Sequence, residues 1–254
     1  DAAVVLTPPH RHRELVEAAL EHGRHAVVEK PAFPRVEDFA AVRAAADSAG
    51  RRVLVAENYF YKPLRRTLAR LLEEGAVSRP LMLHVDAVKE QATGDWRDDP
   101  DRAGGGALLE GGIHWVNFMA ELGMEVEDVE GRAPAPTDGP ERSMVVVFRY
   151  AGGAVGTLSY SWEVPSPLKG LRLSRVYGRG GALTFESNGL FVFQRGRRLR
   201  LRFPGFRDIA GYRGMWRDLV EALGTGREPA MTLADAERDV RLVRQAYRSA
   251  GLEG

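Results

Sequence analysis

The sequence contains no cysteine, which excludes disulfide bonds, thiolate metal ligands and a cysteine nucleophile. It also lacks any apolar run near the roughly 18 residues that a membrane-spanning helix needs, and no signal-peptide pattern opens it. Neither sign of charge is in clear excess, since the sequence has 36 Lys and Arg residues and 35 Asp and Glu residues. That balance gives no reason to expect nucleic acid or a membrane as a partner, and we expect a cytoplasmic protein.

Lysine is scarce: among the 36 basic residues, the only lysines are Lys30, Lys62, Lys89 and Lys169. The abundance of arginine does not by itself indicate a function. The chain has 254 residues, 44% of them hydrophobic and 28% charged, as in a globular protein that buries a core. This length allows one large domain or two ordinary ones.

The first part of the chain alternates apolar strands with helices. Apolar runs at residues 2–6, 25–28 and 52–56 predict strands, and residues 13–22 and 36–48 predict helices between them. This order predicts βαβ units and a parallel sheet. Ligands of such sheets bind beyond the carboxyl ends of the strands. The segments that follow the strands here are Thr7-Pro8-Pro9, Glu29-Lys30-Pro31 and Glu57-Asn58-Tyr59.

From residue 80 onward the pattern changes to short strands separated by turn-like residues, which predicts a largely antiparallel sheet. The predicted strands are residues 81–88, 126–132, 143–150, 154–162, 171–177, 182–186, 190–194 and 199–203. Helices are predicted at residues 64–74, 215–223 and 233–250, the last one capped by Thr232. The predicted fold is part of a doubly wound α/β domain at residues 1–76, followed by an α+β domain at residues 77–254.

A glycine-rich segment, residues 104–112, opens a helix that we predict from about Ala107. Glu110, His114 and Asn117 follow at spacings of four and three residues, which place them on one helical face. Each glycine in a helix interior costs about 1 kcal/mol relative to alanine, so Gly111 and Gly112 suggest that something approaches the backbone closely. Taken alone, the segment could equally be a core helix with a satisfied histidine and tolerated glycines.

Histidines at positions 10, 12, 22 and 25 are numerous enough to suggest a metal site. Two of them straddle a loop, one lies at a helix end and one starts a strand. We therefore predict no metal site.

Glu29-Lys30-Pro31 at the end of a parallel strand, combined with Gly-Gly-Gly-x-x-x-acid-x-Gly-x-His at residues 104–114, resembles the glucose–fructose oxidoreductase / inositol dehydrogenase (Gfo/Idh/MocA) family. Residues 3–9 with His12, and Trp96-Arg97, add to a resemblance that covers essentially the whole chain. It implies a Rossmann domain that binds NAD or NADP. The second domain would then oxidise or reduce a sugar, polyol or related small molecule.

By position, the resemblance implies that Lys30 is the catalytic lysine and that Glu110 and His114 are the acid and the histidine of the site. The family usually has aspartate where this chain has Glu110, and often where it has Asn117. We expect His114 to act as base, Lys30 to stabilise developing oxyanion charge, and Glu110 to orient the substrate or the histidine.

Further site residues are expected at the strand ends and in the loops. The expected cofactor contacts are Thr7, Pro8, Pro9, His12, Glu29, Lys30 and Asn58. The expected substrate contacts are Tyr59, Trp96, Arg97 and Asn117. Structural alternatives stay open: Lys30 as a solvated strand-end lysine, Glu110 as a surface acid, and His114 as a packed core residue.

The dinucleotide fingerprint G-x-G-x-x-G is absent from the sequence. In the resembled family it follows the first strand, so we expect the first part of the Rossmann domain to lie ahead of Asp1, and weak or no NAD(P) binding by the chain as given. Two other functions stay open. One is the same fold using tightly bound NAD for oxidation-coupled elimination or glycoside cleavage; the other is a non-catalytic, sugar-sensing regulator. The resemblance also implies a homodimer or homotetramer formed through the antiparallel sheet.

Overall fold

In the computed structural model, residues 2–134, 139–166, 170–196 and 198–252 are described. The first sheet has three parallel strands in the order β1-β2-β3, as predicted. Its strands and the two helices between them are β1 (Ala2–Val5), α1 (His12–Glu21), β2 (His25–Glu29), α2 (Val36–Ala49) and β3 (Val53–Ala56). Strands β2 and β3 are almost entirely buried, whereas Val4 on the edge strand β1 is 48% exposed.

A 3₁₀ helix at Asn58–Tyr61 and helix α3 (Pro63–Glu73) lead into the second sheet. Its strands are β4 (Pro80–Val88), β5 (Val126–Arg132), β6 (Ser143–Tyr150), β7 (Val155–Ser161), β8 (Leu173–Gly178), β9 (Gly181–Glu186), β10 (Val192–Arg195) and β11 (Leu199–Arg202). They lie in the order β11-β10-β9-β8-β4-β7-β6-β5. All neighbouring strands pair in antiparallel orientation except β4 and β7, which are parallel. Strand β4 lies between β7 and β8. The predicted, largely antiparallel sheet is therefore confirmed.

The eight-stranded sheet has one covered face and one open face. On β4 the odd-numbered residues Leu83, Val85 and Ala87 are buried, while Met82 on the other face is 49% exposed. Strand registers place further exposed apolar side chains on that open face: Val145, Val155, Phe193, Leu199 and Leu201. A monomer seldom exposes so extended an apolar strip.

The remaining helices are α4 (Pro100–Ala103), α5 (Ile113–Ala120), α6 (Tyr212–Thr225) and α7 (Leu233–Ala250). Helix α7 begins at Thr232, whose side chain accepts from the Asp235 backbone N–H, so the predicted cap is confirmed as part of a capping box. This helix packs on α2 and β3 of the first sheet and on β5 of the second. It therefore fixes the two sheets relative to each other. No helix in the described residues is long and apolar enough to cross a membrane.

Candidate active site

Lys30 lies at the carboxyl end of β2 and reaches across to the glycine-rich segment. Its Nζ donates to the backbone carbonyl of Glu110 at 2.6 Å and lies 3.4 Å from Glu110 Oε1. The peptide bond between Lys30 and Pro31 is cis. The predicted meeting of Lys30 and Glu110, residues 80 positions apart, is thus present in the fold.

The glycine-rich segment forms a π-helical turn at Leu108–Gly112 before it continues as α5. Strand β7 approaches this turn closely: a Cβ on Gly111 would lie 2.1 Å from the Tyr160 hydroxyl, and one on Gly112 would lie 2.8 Å from Leu108 Cδ1 and 3.2 Å from the Tyr160 ring. The close approach suggested by the two glycines is therefore made by Tyr160. Single π-helical turns occur frequently at functional sites.

Glu110 is a buried carboxylate between two cations. Arg97 Nε lies 3.3 Å from the same Oε1 that faces Lys30. Burial alone would raise the pKa of the Glu110 carboxyl, but the positive charges of Lys30 and Arg97 outweigh that effect and lower its pKa below the usual value. Glu110 is consequently ionised at neutral pH and attracts both cations.

His114, one turn further along the helix, is held by Glu57 at the end of β3. Its Nδ1 lies 2.7 Å from Glu57 Oε1 and 2.8 Å from Oε2, and Glu57 is only 2% exposed. A carboxylate can only accept, so Nδ1 carries the proton. Nε2 has no hydrogen-bond partner within the described part of the chain, which leaves its lone pair free. We call Lys30, Glu57, Glu110 and His114 the central site.

Tyr59 forms one wall of the central site. Its ring stacks on His114 at 4.4 Å between centroids and with an interplanar angle of 13°. Lys62 Nζ lies 4.2 Å from the centre of the same ring. Burial raises the pKa of Tyr59 to about 12, so its phenol is neutral near pH 7. The expected place of Tyr59 beside the site agrees with this geometry.

Trp96 and Arg97 form a short 3₁₀ helix, Trp96–Asp98, at the border of the site. The Arg97 guanidinium lies 4.6 Å from the Trp96 ring and reaches Glu110 through Nε. Arg97 therefore contacts the catalytic candidate Glu110 directly. Trp96 contacts Arg97 through its ring.

Two of the expected cofactor contacts, His12 and Asn58, bind backbone carbonyls of the protein itself. His12 is completely buried, and its ring nitrogens bind the backbone carbonyls of Thr7, Pro31 and Ala32, so it joins the loops after β1 and β2. Asn58 is buried and donates to the carbonyl of Ala210.

Asn117 does not face the central site, which corrects the expectation of one shared helical face. Its Nδ2 donates to Asp239 Oδ2 of α7 at 2.7 Å, and the residue is fully buried. The physical reason is that α5 is enclosed on several sides. A residue three positions after His114 is turned away by about 60°, which is enough to bring Asn117 against α7.

The other strand-end candidates lie at the edge of the first sheet. Thr7 is exposed, Pro8 half-buried and Pro9 buried after β1, while Glu29 is half-buried at the end of β2. These residues and Lys30 would hold a dinucleotide. Lys30 supports this assignment, because it follows β2 beside these residues and its Nζ donates to the carbonyl of Glu110 in the central site.

Five functional candidates escaped the sequence analysis: Glu57 as a partner of His114, and Lys62, Lys89, Tyr160 and Arg172 around it. One signal was present in the sequence. The chain has only four lysines, and three of them, Lys30, Lys62 and Lys89, converge on this region.

A separate groove of about 1360 Å³ runs between α1, the start of α2 and Gly104. None of the central-site residues lines it. Its charges are largely paired within the protein, since Arg13 binds both Glu17 and Asp38. The size of the groove alone therefore does not mark it as the functional site.

Solved structures share this arrangement of a Rossmann-type sheet and a large mixed sheet. An aldose-aldose oxidoreductase from Caulobacter crescentus superposes with a TM-score of 0.87 and 24% identity, covering 99% of this chain and 77% of that one. A levoglucosan dehydrogenase in complex with NADH and levoglucosan gives a TM-score of 0.83 and 22% identity, with coverages of 100% and 78%. The fold of this chain is thus the fold of these two solved structures.

Two models of one family match successive parts of the chain. The NAD-binding Rossmann model of the oxidoreductase family matches residues 1–57, and the Gfo/Idh/MocA C-terminal domain matches residues 65–184. The chain belongs to the Gfo/Idh/MocA family of oxidoreductases.

Curated relatives agree with this membership. Levoglucosan dehydrogenase of Pseudarthrobacter phenanthrenivorans is 24% identical over 276 residues, which cover 94% of this chain and 67% of the relative. D-xylose 1-dehydrogenase (NADP(+)) 2 of Haloferax volcanii is 26% identical over 267 residues, covering 98% and 78%.

Proposed function

We propose that this protein is an NAD(P)-dependent dehydrogenase or reductase that moves a hydride between nicotinamide and a hydroxyl or carbonyl group of a sugar, polyol or related small molecule. The observation that carries the proposal is the central site. Within the described residues His114 Nε2 has no hydrogen-bond partner, its Nδ1 lies on the buried Glu57 carboxylate, and Lys30 Nζ donates to the carbonyl of Glu110, four residues before His114. The names of the two curated relatives, both sugar dehydrogenases, support the substrate class.

The residues supply acid–base and electrostatic help. The nicotinamide, when bound, accepts the hydride from the carbon that carries the hydroxyl. His114 Nε2 removes the hydroxyl proton as the carbonyl forms, and Glu57 stabilises the resulting imidazolium through Nδ1. Lys30 donates to the same oxygen and stabilises its developing negative charge. In the direction of reduction each proton moves the opposite way.

Glu110 has a supporting role in this scheme. The structure places it on Lys30 and Arg97, while Glu57 contacts His114. Glu110 therefore orients Lys30. Orientation of the histidine, for which Glu110 was the sequence-based candidate, belongs to Glu57.

The same proposal includes a homodimer or homotetramer in the cytoplasm. Exposed apolar side chains along the open face of the eight-stranded sheet, among them Met82, Phe193 and Leu201, would be covered by a second copy. Analytical ultracentrifugation tests this part. A monomer at micromolar concentration would contradict it.

Cofactor binding is tested by fluorescence titration of NADH and NADPH. The titration is done on the chain and on a version preceded by a G-x-G-x-x-G segment. Saturable binding of either cofactor by one of the two proteins is the expected result, and the tighter one gives the cofactor preference. Absence of binding to both would overturn the dehydrogenase proposal in favour of a regulatory role.

A further inference from the structure

Two basic side chains near the central site are buried without a carboxylate partner. Lys62 is 4% exposed and Arg172 is 8% exposed. Within the described residues, neither has a carboxylate oxygen within 4.0 Å. Arg172 donates from Nη2 to Asn188 Oδ1 at 2.6 Å, and its buried Nε has no partner. Buried charge that is not compensated destabilises a fold.

Aromatic rings connect these two cations to the central site. The Arg172 guanidinium lies 5.8 Å from the Trp115 ring, and Trp115 meets Tyr59 edge-on at 5.2 Å. Tyr59 lies between Lys62 on one side and His114 on the other. Both cations are therefore within one or two ring contacts of the histidine.

Lys89 joins the group from strand β4. It directly follows β4, is half-buried, and its backbone N–H extends the pairing with β7 by donating to the carbonyl of Ser161. Its ammonium interacts electrostatically with Glu110 and is repelled by Arg172, Lys30 and Arg97. No hydrogen bond or ion pair of the Lys89 side chain occurs in the described part of the chain.

The acidic groups of this region are already occupied. Glu110 is shared by Lys30 and Arg97, and Glu57 is held by His114. Glu186, which attracts Lys62, lies fully buried. Its oxygens accept from three backbone N–H groups of the β9–β10 turn and from Asn188 Nδ2. Positive charge is therefore in excess beside the central site.

The choice of lysine is also informative. Only four of the 36 basic residues are lysines, yet Lys30, Lys62 and Lys89 are all here. A lysine ammonium is a compact charge on a flexible stem, which can move to meet a ligand atom. An arginine would fill more of the space.

We propose that Lys89, Arg172 and Lys62 form an anion-binding subsite, and that the substrate is a sugar carrying a carboxylate or phosphate group. This inference rests on the proposed oxidoreductase function and names the substrate class of that site. The anionic group of the sugar is held by the subsite while its reacting hydroxyl lies at His114 and Lys30. A neutral sugar leaves the buried cations without a counter-charge.

Isothermal titration calorimetry, with and without NADH, tests the subsite with four probes: D-glucose, D-glucuronate, D-glucose 6-phosphate and inorganic phosphate. Each charge-assisted hydrogen bond contributes roughly tenfold in affinity, so we expect one of the two anionic sugars to bind about a hundredfold more tightly than glucose. The preferred sugar shows whether the anion is a carboxylate or a phosphate. Equal affinity for all three sugars would overturn the proposal, as would binding of inorganic phosphate as tight as that of either sugar anion.

Variants locate the effect. Lys89→Gln and Arg172→Gln should each reduce the anionic preference, measured as the ratio of the affinities for the anionic sugar and for glucose, about tenfold. Arg66→Gln, on the exposed side of α3, is the matched control and should leave the preference unchanged. If Lys89→Gln and Arg172→Gln both keep the full preference for anionic sugars, the subsite proposal is wrong. Lys89→Gln is the more informative of the two if Arg172→Gln fails to fold, because Lys89 is only half-buried.

Turnover separates this proposal from the function on which it rests. If neutral and anionic sugars reduce the cofactor with equal kcat/KM, the subsite proposal fails and the oxidoreductase stands. If no sugar reduces the cofactor but the anionic preference in binding persists, the oxidoreductase fails and the anion site stands.

Discussion

Charged side chains are arranged differently at the surface and around the central site. At the surface, arginines pair with nearby carboxylates, as in Arg11–Glu14, Arg43–Glu237 and Arg142–Asp98. Around the central site, Lys62 and Arg172 are buried and have no such partner among the residues that the structure describes. Surface pairs contribute little to stability, with a median near 0–1 kcal/mol. The buried cations cost stability and are explained by a ligand, so the comparison separates charge used for folding from charge used for binding.

Removing the ammonium of the central site should have the largest effect. Lys30→Ala takes away the group that stabilises the developing oxyanion, and we expect kcat/KM to fall by about 10²–10³-fold. Steady-state rates with the best sugar of a panel measure this. The surface variant Arg43→Ala should change kcat/KM less than about twofold, since exposed ion pairs are weak; equal losses in the two variants would remove the distinction between the regions.

Glu57→Gln sharpens the comparison within the site. Glutamine can donate to Nδ1 of His114 and so favour the tautomer whose Nε2 is protonated and cannot act as base. We expect kcat to fall roughly 10–100-fold, with KM changing much less. Glu57→Asp should recover part of kcat, and a loss confined to KM would argue against Glu57 as a positioning residue for the histidine.

Lys62→Met should separate stability from function. Burial and the neighbouring Arg172 lower the pKa of Lys62 to about 8, against 10.5 for an ordinary lysine. Between these two pH values the unfolded chain binds the extra proton, so wild-type stability rises with pH through this window.

At pH 7 the charged Lys62 therefore destabilises the fold, and removing it should raise the free energy of unfolding by about 2 kcal/mol after the loss of the cation–π contact. Urea unfolding at pH 7 and above pH 10 measures the change, which should shrink at the higher pH. Lys62→Arg keeps the charge and should not stabilise. A Met variant less stable than wild type at pH 7 would show that the cation is compensated within the protein.

Two glycines give the smallest expected effects. Gly111→Ala places a methyl group against the Tyr160 hydroxyl and should destabilise by about 1–2 kcal/mol. Gly224 in α6 has open space around it, so Gly224→Ala should stabilise by up to about 1 kcal/mol. Thermal denaturation compares them. An unchanged thermal stability of Gly111→Ala would show that the close approach of Tyr160 to the turn at Leu108–Gly112 does not require glycine.

The fold could be predicted because its signals are local. Apolar runs, breakers and the Thr232 cap lie close together in sequence, and strands such as β5 and β6 begin and end where expected. The parallel β4–β7 pair could not be predicted, because it depends on which neighbours surround β4 after folding.

The site was predictable only in part for the same reason. Lys30, Glu110 and His114 sit in patterns typical of a family, so their convergence was expected. Glu57 lies in a segment expected at the strand ends, but its contact with His114 depends on the folded arrangement. Arg172 reaches the site from a distant element and carries no pattern of its own. The contact of Asn117 with Asp239 of α7 could not be predicted. Helical periodicity gives the position of a residue around its helix, but not which other element packs against that position.

The most direct test of the central claim is cofactor reduction by a panel of sugars, polyols and sugar acids. The panel is run with wild type, Lys30→Ala and His114→Asn, in the form of the protein that binds NADH or NADPH. We expect at least one compound to yield reduced cofactor in proportion to product, and both variants to lose most of this activity while still binding the cofactor. Activity that survives in both variants would contradict it, as would a cofactor-loaded wild type that oxidises none of the compounds.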